Sequence, residues 1–365
     1  METFAEINDP RCAAKVEHNL LEILIMAICG VIAGAEGWED IALYAQSKEV
    51  WLRRFLTLKH GIPSHDTFRR VFMLIDPTQF EQCFRQWIGQ WLGTEQIGHV
   101  AIDGKTLRHS FDRKREQSPL HVVSAWASEH RLVLGQEAVA RKSNEITAIP
   151  TLLTGLDLAG ALVTIDAAGC QKAITQVILD QQAEYVLTLK GNQQHTLQAV
   201  ETWFDEHAFA KGSSLKPVLD AFDEQHGRLT RRRVFVQTAP TELAVLAEWP
   251  GIQSILAVEA IRMEKPQGTV TAEKRYFLSS LPSANERQIA AIRQHWSIEN
   301  SLHWVLDVTF QEDPSRVREP HARRNLALLR KIALNLIHQS GVSGSVRRQR
   351  KRAAWDDAFM AQLLR

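Results

Sequence analysis

Three carboxylates in this chain stand where phosphoryl-transfer chemistry would need them. Asp103 ends the apolar run HVAID and is followed by GKTLR. Asp166 ends a second apolar run, ALVTID, and is followed by AAGCQ. Glu299 lies in RQHWSIENSLHWVLD, whose apolar spacing is helical. Breaking a phosphodiester at neutral pH requires a deprotonated water and a stabilised leaving oxygen. Two Mg²⁺ ions about 3.5–4 Å apart supply both, with Mn²⁺ as the expected substitute, and hard cations of this kind take carboxylate oxygens. In that scheme Asp103 bridges both metals, while Asp166 and Glu299 each hold one. Gly104 and the Ala167-Ala168-Gly169 run keep the rim small enough for a polymer backbone to approach. One Asp at a strand end reads as a turn or a cap; two on adjacent strands read as a site.

The helix around Glu299 carries a second pattern. His295, Glu299, His303 and Asp307 follow one another at i, i+4 and would form one polar stripe. Such a stripe either holds a transition metal or lets Glu299 reach the magnesium ions while the histidines orient it or touch phosphate. Trp296 and Trp304 read first as core residues, with stacking on an unpaired base as the alternative. Other chemistries find no support: the nucleophile elbow GxSxG, the dinucleotide fingerprint GxGxxG and the Walker pattern are all absent.

The elements that would position these residues follow from the periodicity. From about Lys15 to Gly93 the chain reads as a compact helical block, with Leu20, Ile23, Leu24, Ala27, Ile28 and Val31 on one buried face. Ser64 and Asp66 offer N-caps, and Pro77 opens another helix. Beyond Gly98 the rhythm becomes that of strands: HVAID, LHVVSAWAS and RLVLGQEAVA form a meander. Helix NEITAIPTLLTGL, strand ALVTID, helix QKAITQVILDQQ and strand EYVLTLK follow. The order β-β-β-α-β-α-β is that of the ribonuclease-H-like fold, a mixed sheet flanked by helices, in which the first and fourth strands are central neighbours. Asp103 and Asp166 would then meet in space. The predicted organisation is a helical N-terminal domain over 1–95, a catalytic domain over 96–340 and a basic C-terminal tail over 341–365. A β-rich stretch at about 210–282 is either an insertion or an added flank of the sheet, and closing helices cover about Ile292–Val308 and Asn325–His338.

Composition sets the remaining bounds. The chain has 365 residues with 43 basic and 42 acidic side chains, a net charge of +1, so no global basic field announces nucleic acid. The positive charge is concentrated locally instead: Arg69-Arg70, RLTRRR at Arg228 to Arg233, RVREPHARR at Arg316 to Arg324 and RRQRKR at Arg347 to Arg352. Four scattered cysteines without a CxxC pair argue for a reducing compartment and against both a disulfide framework and a thiolate zinc site. METFAEINDPR does not open like a signal peptide, and LLEILIMAICGVIAGA, interrupted by Glu22, reads as a buried core helix. The expected location is cytoplasmic.

The chain resembles insertion-sequence transposases of the DDE type, in the H-repeat-associated branch. The stretches that carry the resemblance are VIAGAEGWEDI, GIPSHDTFRRVF, VAIDGKTLR, SAWASEHRLVLGQEAVARKSNEITAIP, LVTIDAAGCQ, LTLKGNQ, HGR and HWSIENSLHWVLDVTFQED. The resemblance implies Mg²⁺-dependent cleavage and strand transfer, with Asp103, Asp166 and Glu299 as the acidic triad. It also implies double-stranded DNA partners, at the element's terminal repeats and at the target, and a homodimer on DNA. Lys105, Lys190, Arg231, Arg232 and His295 are the candidate DNA contacts. The chain departs from the wider group around Glu299, where Ile292 and His295 stand at the expected Tyr and Arg and no Lys follows. Two other functions fit the same residues: a metal-dependent nuclease of this fold, and a catalytically decayed protein that still binds element ends.

Overall fold

The structure, a computed structural model, describes residues 2–140, 143–225, 228–264, 269–283 and 285–364. His226 and Gly227 of the HGR stretch, and Arg141-Lys142 of the longest family-like stretch, lie outside the described residues. The elements run in chain order. Helices α1 (Leu20–Ala33), α2 (Trp38–Ser47), α3 (Glu49–Leu52), α4 (His65–Leu74) and α5 (Pro77–Leu92) come first. Next are β1 (His99–Leu107), β2 (Leu120–Ala127), β3 (Leu132–Ala138), α6 (Glu145–Thr154), β4 (Leu162–Ile165), α7 (Lys172–Asp180) and β5 (Glu184–Leu189). Helix α8 (Gln194–Phe204) leads to β6 (Leu219–Gln225), β7 (Arg228–Thr238), β8 (Ser254–Glu264) and β9 (Thr269–Ser279). The chain closes with α9 (Arg287–Gln294), a π-helical turn at Ile298–His303, α10 (Trp304–Val308), α11 (Pro320–Gln339), α12 (Val346–Trp355) and α13 (Asp357–Leu363).

Two compact units form. One comprises Met1–Glu95, Gly104–Asn144 and Ser297–Arg365; the other comprises Gln96–Asp103 and Glu145–Trp296. The helices of 1–95 therefore belong to a unit that also holds later parts of the chain.

In the first unit the local signals act as the sequence implies. Asn19 caps α1 by accepting from Glu22 N, Ser64 caps α4 by accepting from Thr67 N, and Asp76 caps α5 just before Pro77. Helix α1 is a core helix, with Ile23, Ala27, Cys29 and Ile32 fully buried. No single described helix is long and apolar enough to cross a membrane. Helix α11 is the unit's axis, in contact with α1, α4, α5 and β3. Its Asn335 donates from Nδ2 to the Val133 carbonyl and accepts Val133 N–H at Oδ1, each at 2.9 Å, which pairs backbone groups of β3. Residues read as a basic tail form α12 and α13 instead. Arg350, buried in that run, donates to the carbonyls of Val31 (2.8 Å) and Ile32 (3.4 Å) in the last turn of α1, adding to the Gly34 N–H that also reaches Val31.

In the second unit β4 lies between β1 and β5 and runs parallel to both, with Ile102 opposite Ile165 and Ile165 opposite Leu187. β9 then pairs antiparallel with β5, and β8, β7 and β6 continue in order. The β-rich stretch is thus an added flank of the sheet and not a separate insertion. Helix α9 packs over β4 and β5, where Ile292 and Ala291 join Leu162, Val186, Val234 and Val258 in one apolar cluster. The expected single helix over Ile292–Val308 is instead α9, the π turn and α10, because backbone pairing shifts register across Ile298–His303.

Candidate active site

β1 and β4 are parallel, paired neighbours, and Asp103 and Asp166 each follow directly on the Ile102–Ile165 pair. Neighbouring strands lie about 4.8 Å apart, so the two residues stand side by side where the β1–β4 pairing ends, with β1 itself continuing to Leu107. Both are half-buried. Asp166 caps the short turn Ala167–Gly169, its Oδ1 accepting Ala168 N–H at 3.1 Å. Burial pushes the Asp166 carboxyl above its ordinary value, and the charges of Asp103 and then Glu145 push it further. Two or three carboxylates that repel one another in a partly dry site are a donor set that a hard divalent cation would relieve. Among the described residues, however, no group of three or more His, Cys, Asp or Glu side chains is gathered as a metal site.

The loops around Asp166 are braced from β5. Asn192 donates to the Ala167 carbonyl (2.7 Å), and Gln193 donates to the Cys170 carbonyl (3.0 Å) and to Gln171 Oε1 (3.2 Å). The KGNQ stretch thus fastens the turn that aims Asp166. Lys190, its first residue, is exposed. Gly169 is required for packing: a Cβ there would stand 2.3 Å from Ile165 Cγ2 and 3.0 Å from Ile149 Cδ1, both on buried residues. Gly169→Ala is therefore expected to destabilise the fold by about 1–3 kcal/mol in urea titration, through overpacking of the turn.

Behind Asp166, on the same face of β4, Thr164 Oγ1 lies 2.9 Å from His295 Nδ1 and 2.8 Å from His99 Nε2. One hydroxyl can donate to one ring and accept from the other, so the three side chains form a buried relay that fixes the end of α9. Burial drives His99 down to about 3, with His295 and Arg287 adding to the effect, so the ring is neutral. Arg287 secures the start of α9 by donating to the carbonyls of Gly98 (3.1 Å) and Gly160 (3.0 Å). His295, expected to touch DNA, therefore has one nitrogen committed to Thr164.

Glu299 belongs to the first unit, at an exposed position in the π-helical turn. Wide turns of this kind are enriched at functional sites. They also take His295, Glu299, His303 and Asp307 off the straight stripe that i, i+4 spacing implies. Asp307 is occupied otherwise: Lys105 Nζ lies 2.5 Å from Asp307 Oδ1 and 2.7 Å from Glu312 Oε2. Arg108 N donates to Asp313 Oδ1 (3.1 Å) and His109 Nδ1 to the Asp313 carbonyl (2.8 Å), so the GKTLRH and QED segments are stapled together. Lys105, a candidate DNA contact, is thereby an internal ion partner. Trp296 and Trp304, expected in the core, are 45% and 57% exposed.

The basic run on β7 divides by face. Arg231 forms a bidentate pair with Asp220 on β6 (2.9 and 2.6 Å), and Arg233 pairs with Glu259 on β8 (2.7 Å). Arg232, between them, points to the opposite face. Glu145, Asn192 and Gln193 escaped the sequence reading. Their residue types carry no strong signal, and only the meeting of α6 and the β5 loop with Asp166 gives them a role.

Comparison with known proteins bears on all of this. Residues 94–336 match the family described as the transposase DDE domain, and residues 1–88 match the domain described as DDE_Tnp_1-associated. The H repeat-associated putative transposase YhhI of Escherichia coli (strain K12) is 38% identical, over 100% of this chain and 97% of the relative. The putative transposase YncI of Escherichia coli O157:H7 is 38% identical over 98% of this chain and 92% of the relative. A shorter relative, the inactive transposase YbfQ of Escherichia coli (strain K12), is 45% identical over 20% of this chain and 84% of its own length.

Proposed function

The chain belongs to the family of transposases with a DDE domain, and on that premise we propose that it cleaves and joins DNA at the ends of an insertion element. The catalytic core is of ribonuclease-H-like layout, with Asp103, Asp166 and Glu299 as its acidic triad. The observation that carries this reading is the placement of Asp103, within β1, and Asp166, just past β4, directly after the last residue pair, Ile102–Ile165, of these two parallel strands. Asp103, Asp166 and Glu299 would hold two Mg²⁺ ions, which when bound supply a nucleophile at neutral pH and charge stabilisation at the leaving oxygen. The chain's own residues do the positioning. The Ala168 N–H holds one oxygen of Asp166, so that its carboxylate is oriented before DNA arrives. Asn192 and Gln193 keep the turn behind it from moving. The Thr164 relay fixes the end of α9, next to which Trp296 and the π turn follow in the chain. The helical segment 1–95 is assigned to element-end recognition, and a dimer on DNA would pair the two ends.

The test is cleavage and strand transfer on duplex DNA bearing the gene's own flanks, with Mg²⁺ or Mn²⁺. Wild type is expected to cut at the element boundary and to join pre-cleaved ends. Glu299→Gln is expected to bind the same DNA and to lose both reactions. Cutting without joining would identify a nuclease, and binding without either reaction by wild type would identify a decayed element-end-binding protein.

A further inference from the structure

The second unit contains a cavity of about 190 Å³ between the β6–β9 flank and α9. Arg232 of β7, Arg275 of β9 and Arg293 of α9 line it, together with Asp223 and Trp296. Its floor is apolar, from Val234, Val258 and Ile292. Strand register explains why these side chains converge. Val234, Val258 and Arg275 occupy one row across β7, β8 and β9, and Arg232 stands two residues from Val234 on the same face. Arg262 projects from that face as well, two residues beyond Ala260, the partner of Arg232.

Charge on this face is unbalanced. Glu273 is shared by two guanidiniums at long range, 3.6 Å from Arg262 Nη2 and 3.8 Å from Arg275 Nε. The buried Arg275 Nε has no hydrogen-bond partner. Among the described residues, neither Arg232 nor Arg293 has an ion pair, whereas Arg231 and Arg233 on the other face of β7 each have one. The Arg232 guanidinium is held below its ordinary value by burial first, and then by the charges of Arg293, Arg275 and Arg262, which Asp223 opposes only in part. Like charges gathered around a cavity, one of them with an unsatisfied N–H, make the folded protein less stable than it need be, unless an anion completes the site. Guanidinium forks match phosphate oxygens in geometry and charge. The Trp296 indole, with Arg275 5.7 Å from its ring centroid, gives the same cavity an apolar wall that suits a sugar.

We propose that this cavity binds a backbone phosphate of the DNA substrate, with Arg232, Arg275 and Arg293 as phosphate ligands and Trp296 against the adjoining sugar. The assignment deepens the transposase reading and rests on it. It also splits the RLTRRR run: Arg232 touches DNA, while Arg231 serves the β6–β7 pair.

The experiment is fluorescence-anisotropy titration of a labelled duplex carrying the gene's flanks, in Ca²⁺ so that no cleavage intervenes, across a series of salt concentrations. Arg232→Gln with Arg293→Gln is expected to weaken binding by about 10–100-fold and to reduce the slope of log Kd against log salt by about 2. Arg231→Gln is expected to leave both within about twofold, because its guanidinium is already neutralised by Asp220. Removing like charges should leave the melting temperature unchanged or higher, and Arg293→Glu, at an exposed helix position, provides a second variant that does not disturb the sheet. Unchanged affinity and slope in both pocket variants, with wild type still binding, would overturn the pocket and leave the transposase reading standing. Equal losses in Arg231→Gln would overturn it too, by showing a diffuse field instead of a site. Binding of inorganic phosphate or a nucleoside monophosphate that is lost in the pocket variants while DNA affinity stays intact would reassign the cavity to a free anion. Failure of wild type to bind DNA would overturn both readings.

Discussion

Asp103→Asn and Asp166→Asn are each expected to reduce divalent-cation-dependent DNA cleavage by about 10³-fold or more, without weakening the metal-free fold. In the proposed mechanism several kcal/mol of transition-state charge stabilisation would depend on these two carboxylates as metal ligands, and each 1.36 kcal/mol is a factor of ten in rate. The fold should survive because the two carboxylates oppose each other: Asp103 and Glu145 both push the Asp166 carboxyl up. An Asn at 166 can still accept the Ala168 N–H that caps the turn, while the repulsion disappears. The metal-free Asp166→Asn protein should therefore melt at the wild-type temperature or slightly above it. Adding Mn²⁺ should raise the melting temperature of wild type and not that of either variant, by ordinary linkage of binding to folding. Calorimetry reads this without any DNA. A Mn²⁺-induced shift that persists in both variants would place the metal elsewhere.

Glu312→Gln is expected to be the most damaging conservative substitution in the chain, costing about 3–5 kcal/mol in denaturant titration. Glu312 is 1% exposed. Its own burial would raise its carboxyl, yet Lys105, Lys331 and Arg330 hold it down to about 2. The two carboxylates at Lys105 are shifted in opposite directions: Glu312 is held down, whereas burial pushes Asp307 up. Removing the Glu312 charge leaves Lys331 and Arg330 buried with their main counter-ion gone. The same network sets an acid limit. A carboxyl whose folded value lies below its unfolded value of 4.5 contributes its full stability above about pH 4.5 and loses it as pH falls toward 2. Wild type should lose about 3 kcal/mol across that window from this group, and Glu312→Gln should show correspondingly less acid dependence. Equal slopes of stability against pH in the two proteins would refute the assignment.

Much of the fold is legible in the sequence because it is encoded locally. Asn19, Ser64 and Asp76 cap the helices they precede, and Pro77 sits at the first helical turn, since an unpaired N–H needs only a nearby oxygen or no hydrogen at all. Apolar runs ending in Asp103 and Asp166 name two strands, and the order of elements makes those strands neighbours, as β1 and β4 are. Glu299 could be singled out by its residue type and motif, but not its backbone: the π turn is a register shift that helical periodicity does not display.

What the sequence by itself determined, then, is the chemistry on offer: two acids that close apolar strand-forming runs, a third on a late helix, and clusters of arginine. Tertiary structure decided which charges remain available. Lys105 and Arg231 look as suited to DNA as Arg232 does, until Asp307, Glu312 and Asp220 arrive from distant parts of the chain to neutralise them. Side chains on a strand alternate between faces, a fact visible in RLTRRR. Whether a given face meets a carboxylate or a cavity depends on the strands and helix packed against it, and the register of those pairings is fixed by the whole core rather than by any one segment.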